Sequence, residues 1–437
     1  ANGTFRKGGF AANLALSAGY DRFWREGLMR KGLFAGPDEA GNPYYLNPQT
    51  GQVTASAAPV EGAKLITTYD SYGQAITSKG NSDISRFLTY SAKLGLQYQF
   101  EGGHRVYATG GYFNDAPTFA QSFISPRTRN SLVPDLTTVK TMSADLNYQY
   151  NNNGYNIRVT GFWTNIADQT DMMSFYDDSQ NSFVNFAMSG IDQRHIGIEL
   201  GYKIPILVQG LSLEGAFSWG EYIYTSTPRM TMTVDNSAEL VYDDQPVSYW
   251  SQSPVFSKRV SNGVTEYLDA AGNPTSDINK VDVKGWKKHY VPSTPQLAVD
   301  FGLNYRTNSY WFFELHGQYF AQSYLDMNPL YRTDWITAGP DGIVTPMEID
   351  DLTAQEGFAP VFLLNASIGK SWYIDRKYNF GFSLNLQNLT NHRAVKTGGY
   401  EGTRLVDSES MERYYKFDSK YFYMQGFNYM LNLYFRF

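Results

Sequence analysis

Apolar and polar residues alternate along this chain with a period of two, most clearly at its end. Across 421–437, Tyr423, Phe427, Tyr429, Leu431, Leu433, Phe435 and Phe437 share one parity, while Met424, Gly426, Asn428, Met430, Asn432, Tyr434 and Arg436 share the other. Successive side chains of a strand point to opposite faces, so the stretch predicts one unbroken strand with a greasy face and a largely polar one. Such a strand is longer than the roughly three to ten residues usual in globular proteins. The same partition recurs in 88–100, 142–150, 155–163, 196–204, 296–305 and 378–386. In 296–305, Leu297, Val299, Phe301, Leu303 and Tyr305 alternate with Gln296, Ala298, Asp300, Gly302 and Asn304.

About twelve such segments fit the chain. Short connections rich in turn formers, at 101–104, 151–154, 205–210, 306–309 and 375–377, alternate with long ones at 21–84, 114–136, 169–186, 225–290, 326–360 and 392–418. A soluble sandwich would bury one face of each sheet in a dry shared core, whereas the polar parity here carries Asn, Gln, Ser, Asp and Gly. Apolar outward, polar inward, with short turns at one end and long loops at the other, predicts an all-β fold, an antiparallel transmembrane β-barrel. Residues 1–437 then form one barrel domain, with the long loops extracellular and Phe437 in the periplasm.

Composition refines this picture. Mean hydropathy is −0.41, and no run approaches the roughly 20 apolar residues of a spanning helix; barrel strands escape such a scan because half of each is polar. The 34 Tyr, 28 Phe and 8 Trp suit aromatic girdles at two interfaces, with Trp163, Trp219 and Trp311 as interface anchors. A net charge of −6 and a pI near 5.5 argue against a nucleic-acid partner. Cysteine is absent, which removes thiol and disulfide chemistry. No basic and apolar leader follows Ala1, so the expectation is a mature chain or a piece of a longer one.

Candidate chemistry is sparse, and no enzyme is expected. The five histidines His104, His195, His289, His316 and His392 lack metal-ligand spacing, and neither a G-x-S-x-G elbow nor a phosphate loop is present. No cofactor is expected. The acidic pairs Asp177–Asp178, Asp243–Asp244 and Asp350–Asp351 offer oxygen ligands for Ca2+ in the extracellular loops but complete no ligand loop; solvated loop charge is the competing reading. Lys284, Lys287, Lys288 and His289 form a basic cluster that suits lipopolysaccharide phosphates or simple hydration.

Several stretches resemble the TonB-dependent outer-membrane receptors of Bacteroidetes. They include Phe23-Trp24-Arg25-Glu26-Gly27-Leu28-Met29, Ala116-Pro117-Thr118-Phe119 through Ser125-Pro126-Arg127-Thr128-Arg129, and Ala167-Asp168-Gln169-Thr170-Asp171 with Ser174-Phe175-Tyr176-Asp177-Asp178. Further matches are Phe183-Val184-Asn185-Phe186, Gly190-Ile191-Asp192-Gln193-Arg194-His195, Gln387-Asn388-Leu389-Thr390-Asn391 and Thr397-Gly398-Gly399-Tyr400-Glu401. The terminal residues Tyr429, Leu431, Leu433, Phe435 and Phe437 resemble the signal read by the outer-membrane assembly machinery. The resemblance implies the C-terminal portion of a 22-stranded barrel, with the plug absent from this chain and supplied, with the rest of the barrel, by an N-terminal portion. It implies active transport of a solute, driven through TonB acting on the plug. Partners would be outer-membrane lipid, lipopolysaccharide and a surface lipoprotein over the loops. A self-contained twelve-stranded barrel acting as a passive pore or structural protein is the alternative.

Arg127, Arg129, Asp171 and Tyr176 fall just beyond predicted strand ends, within the matched segments. An arginine fork suits carboxylate or phosphate, so these four are the expected substrate contacts; a network pinning loops to the inner wall is the competing reading. Iron chelates, cobalamin, glycans and peptides are all open as cargo.

Overall fold

The computed structural model describes residues 1–26, 37–47, 49–50, 52–65, 82–125, 132–133, 135–177, 182–234, 241–242, 245–246, 250–252, 255–256, 258–261, 264–269, 271–277, 280, 283–284, 286, 288–332, 353–375, 377–402, 405–407 and 414–437. These residues form an all-β structure dominated by one antiparallel sheet. Its strands are β1 (Asn2–Lys7), β2 (Phe10–Phe23), β3 (Ser85–Gln99), β4 (His104–Asp115), β5 (Val139–Asn152), β6 (Tyr155–Asp177), β7 (Ser182–Pro205), β8 (Leu211–Tyr224), β9 (Leu297–Arg306), β10 (Trp311–Ala321), β11 (Val361–Ile374), β12 (Tyr378–Gln387) and β13 (Asn428–Arg436). Each pairs with its neighbour in sequence order, so the chain is a simple up-and-down meander. The sheet has thirteen strands where the pattern suggested about twelve. Among the described residues β1 and β13 end the ladder and do not pair with each other, so the self-contained closed barrel is not formed.

The register keeps one parity on one face across the whole sheet. Leu14 faces Leu94, Tyr112 faces Met142, Ile198 faces Trp219, Leu303 faces Leu315, and Leu384 faces Leu431. These side chains are exposed rather than packed: Leu146 is 61% accessible, Leu431 54% and Leu433 75%. Aromatic residues bound this apolar band, with Tyr90 and Trp219 toward the long loops and Tyr98, Trp372 and Phe380 toward the short turns. From Tyr90 to Tyr98 the strand rises about 26 Å, close to the ~25 Å apolar height of outer-membrane barrels.

The expected short turns all form. Gly154 and Asn153 carry the β5–β6 turn at φ +83° and +51°, and Gly210 the β7–β8 turn at +82°, where a Cβ would strike the Arg306 carbonyl. The long connection expected at 169–186 is different. There β6 and β7 run on as a paired hairpin, 23 and 24 residues long, that continues beyond the rest of the sheet. A double register shift between Met188 and Gln193 separates wall from arm. Asp192 fixes it by accepting the Asp168 amide at 2.9 Å, while its own amide donates to Ser226 Oγ at 2.8 Å. Beyond the shift, 184–189 pairs with Arg229–Val234, which adds a strand to the arm.

The final strand also departs from the unbroken 421–437 expectation. Lys420–Tyr423 leaves the sheet to pair with Lys396–Tyr400, and β13 begins only at Asn428. The cause is a clasp formed by the turn after β12. Asn388, at φ +51° and 2% accessible, donates from Nδ2 to the carbonyls of His392 (3.0 Å) and Gln425 (3.1 Å) and accepts the His392 amide. Asn391 Oδ1 accepts the Phe427 amide at 3.0 Å, and Gly426 leaves the room this needs, since a Cβ there would come within 2.5 Å of that oxygen. Alternation persists through the break because both hairpin and strand are extended.

Replacing Asn388 with alanine removes this clasp and places a residue with a Cβ but no local hydrogen bond at positive φ. We expect a loss of about 2–3 kcal/mol, read as a lower melting midpoint in detergent, with Asn388→Gly recovering only the backbone share.

Candidate functional site

The face opposite the apolar band is a continuous polar surface. On β4–β6, Thr109 and Asn147 donate to Asp145, and Asn147 Oδ1 accepts from Thr160 (2.6 Å) and Arg158 (3.2 Å). Arg105 pairs with Gln149 and lies over Tyr107. On β9–β12, His316 Nδ1 sits 2.9 Å from Asp300, Gln318 donates to Asp300 at 3.1 Å, and Asn365 donates to Gln318 at 2.9 Å. His316, Gln318, Asn365, Ser367, Asn385 and Gln387 line a depression of about 390 Å³. Such a face suits water or a hydrated solute, because its acceptors and donors are arranged in networks instead of being covered by apolar packing.

The hydrophobic core lies at the loop end of the sheet. Ile124, Val133 and Ala187 form one cluster with Leu136 and Met172; Val361, Leu363 and Val395 form another with Phe320 and Met424. Between and around them the loops are tied by charged and amide groups. Arg332 and Glu401, both essentially inaccessible, form an ion pair in which Arg332 Nη2 donates to Glu401 Oε1 at 2.9 Å and to the Ala354 carbonyl at 3.2 Å. Glu401 also accepts the Asn328 amide at 2.8 Å. The Gln355 side chain brackets the Tyr290 backbone, its Oε1 accepting the Tyr290 amide at 2.9 Å and its Nε2 donating to the Tyr290 carbonyl at 2.8 Å, and Tyr290 stacks on Tyr324 at 4.2 Å. Lys396 is 3.0 Å from Glu356 and lies over the Tyr421 ring. Five chain segments, next to β8, β10, β11 and β12 and in the 417–427 return, are thereby tied together at the loop end.

Asp326 stands within this knot, its backbone linked to Gly399 and Glu401. Burial, then the facing Asp171 carboxylate, pushes its carboxyl up to about 6. Asp171 reaches it from the β6 arm, where it accepts from Gln121 at 3.3 Å and from the Met172 amide. A carboxylate of the β6 arm therefore acts electrostatically on one in the connection after β10.

Of the expected substrate contacts, Asp171 is this arm carboxylate. Tyr176 is in β6 opposite Phe183, with only its backbone described. Arg127 and Arg129 lie outside the described residues. So do Asp178, Asp243, Asp244, Asp350 and Asp351, and of Asp177 only the backbone is described. Among the described residues no three His, Asp or Glu side chains come together as metal ligands. The basic cluster is dispersed: Lys284 pairs by its backbone with Val255, Lys287 is outside the described residues, Lys288 is exposed, and His289 is half-buried and lowered by burial and by Arg332. Asp326, Arg332 and Gln355 were not singled out by pattern. Glu401 sits in a matched stretch, Thr397–Glu401, and that was the one available signal.

Because the fold favours the neutral form of Asp326, stability should fall as pH rises from about 4 to about 6, and the ionised carboxylate should cost about 1–2 kcal/mol at pH 7.5 after allowance for partial exposure. Asp326→Asn is expected to raise the melting midpoint at pH 7.5, leave it unchanged at pH 4.5 and flatten the profile between. Glu401→Gln leaves Arg332 buried without its counter-charge; a local cost of about 3 kcal/mol should appear as faster amide exchange across 324–332 and 398–402, with the β3–β5 amides unaffected.

No protein-family model and no curated protein matches the chain. Among solved structures it is similar to the copper transporter OprC, at 12% identity and TM-score 0.49, over 97% of this chain and 45% of that one. It is also similar to the siderophore receptor PiuA from Acinetobacter baumannii, at 11% and 0.44 over 99% and 54%, and to the ferric citrate transporter FecA in its unliganded form, at 10% and 0.45 over 100% and 53%. The chain thus spans about half the length of the solved structures it matches.

Proposed function

We propose that this chain forms part of the wall and the extracellular mouth of a TonB-dependent transporter in the bacterial outer membrane. The observation that carries the reading is the sheet itself: thirteen strands in one register, with an exposed apolar band rimmed by aromatics on one face and hydrogen-bonded polar networks on the other. No aqueous solvent stabilises the first face and no lipid the second, so the sheet belongs at a boundary between them. The ladder ends at β1 and β13 suit pairing with further strands of a larger barrel. In this reading the plug and the remaining strands come from an N-terminal portion, TonB acts through that plug, and the solute binds between plug and loops. The long loops face outward and Phe437 lies on the periplasmic side, with Tyr429, Leu431, Leu433, Phe435 and Phe437 presented to the assembly machinery on the outward face of the edge strand. The knotted mouth offers a surface lipoprotein a rigid rim to sit on.

The absence of cysteine makes single-cysteine labelling clean. A membrane-impermeant maleimide added to whole cells should label a cysteine at Lys288, spare one at Lys377 in the β11–β12 turn until the membrane is broken, and spare one at Leu433 in both cases. Labelling of Leu433 from water would sink the membrane assignment. Uptake that depends on the protein and stops when the proton gradient is collapsed supports active transport; uptake that survives collapse makes it a passive pore.

A further inference from the structure

On the polar face, near the short turns, three residues stand abreast: Arg105 on β4 lies opposite Gln149 on β5, and Gln149 lies opposite Arg158 on β6. The two arginines are two strand spacings apart, about 10 Å, and their guanidinium carbons lie 5.2 Å and 6.0 Å from the centre of one ring, that of Tyr107. Buried residues fix this arrangement. Asn147 and Thr160, 0% and 6% accessible, each accept from Arg158 at 3.2 Å, and Gln149 Oε1 accepts from Arg105. Every one of these partners is neutral, and among the described residues neither guanidinium has a carboxylate partner. Asp145, four residues from Gln149 along β5 and so about 13 Å away, is taken by Thr109 and Asn147. Glu199 lies opposite Thr160, where its charge acts on Tyr222. Gly201, opposite Arg158, has nothing within 4 Å of where a Cβ would stand, so the row ends in open space.

We propose that Arg105, Gln149 and Arg158 form a binding site for a small dicarboxylate on the turn-side half of the polar wall, with one carboxylate on each guanidinium and the carbon chain across Gln149 and the Tyr107 ring. The site goes beyond the transport reading and rests on it only in taking this face as water-lined. An arginine carries five N–H donors and no acceptor; Arg105 commits one of them to the wall and Arg158 two. Gln149 Nε2 adds a donor between them, since Gln149 Oε1 is committed to Arg105. A row of donors with no facing carboxylate is complementary to a ligand that only accepts, and planar guanidinium forks take carboxylates two oxygens at a time. Two forks held apart by a strand call for two oxyanions on one molecule. The Tyr107 ring supplies the apolar floor for the methylenes that join them, and the open space at Gly201 leaves the Arg158 end free of obstruction.

The test is calorimetric titration of the protein purified from its membrane, in detergent, with glutarate, acetate and inorganic phosphate as probes. One saturable glutarate site is expected, with acetate and phosphate binding about tenfold more weakly. Arg105→Gln and Arg158→Gln should each weaken glutarate about tenfold, and Arg158→Lys should restore only part of the loss because a point charge lacks the fork. Glu199→Gln should tighten binding about twofold by removing a like charge from the neighbouring row, a gain that a purely structural role for these arginines does not produce. Lys93→Gln, nearer the loops on the same face, should bind as wild type, and melting midpoints confirm that the variants fold. Equal binding of acetate or phosphate, or glutarate binding unchanged in both Arg→Gln variants, overturns the proposal, as does a wild type with no glutarate site. The titration needs only an accessible polar face, so its failure with Leu433→Cys still shielded in lipid overturns this site alone, whereas Leu433→Cys labelled from water overturns the membrane reading first.

Discussion

The sheet rests on a two-residue period that gives it two unlike faces, one apolar and exposed, the other a hydrogen-bonded polar surface. A strand in water can place apolar side chains on one face and bury them against a second layer; among the described residues Leu146, Leu303 and Leu433 stay exposed, while Asn147, Asp300 and Asn385 on the other face are held in side-chain hydrogen bonds. A shift of one residue in any ladder would send a row of leucines into the polar networks and a row of amides into the apolar band. That penalty, repeated over thirteen strands, specifies the register more strongly than the turns do. It also explains why a sheet with so little packed core is definite in structure: its stabilisation comes from the continuous backbone ladder and from the environment of each face.

The packed core sits where a barrel wall has no need of one. Phe123, Ile124, Phe186, Met188, Leu325, Met327 and Tyr331 are nearly inaccessible and lie in or beside the long connections. Together with the Arg332–Glu401 pair and the Gln355 bridge they make the loop end the most globular part of the chain. Strand residues point to one face or the other of the sheet, while the described residues of the long connections pack on one another.

Period-two alternation made the sheet legible, and Gly and Asn at the short turns made its hairpins legible. It misled in two places for one reason: alternation reports extended backbone and does not report what the strand pairs with. The 420–423 segment is extended and alternates in phase with β13, yet pairs with Lys396–Tyr400; 169–186 reads as a long connection, yet 169–177 and 182–186 pair as a hairpin arm. The mouth was less legible still. Asp171 was found through its neighbours in sequence, but Asp326 and Arg332 act through partners 155 and 69 residues away, and no local pattern records such distances.

The Asn388–Asn391 clasp bears on how such a chain can change. The connection from His392 to Phe427 leaves and returns through the clasp and the Lys396–Tyr400/Lys420–Tyr423 pairing, so the point at which β13 enters the sheet is set there and not by how many residues lie beyond Glu401. Lengthening the intervening hairpin would then cost only loop entropy, about 0.6 kcal/mol for each doubling, while the register of the last strand stays fixed. The tip of that hairpin can change length without re-threading the sheet that carries it.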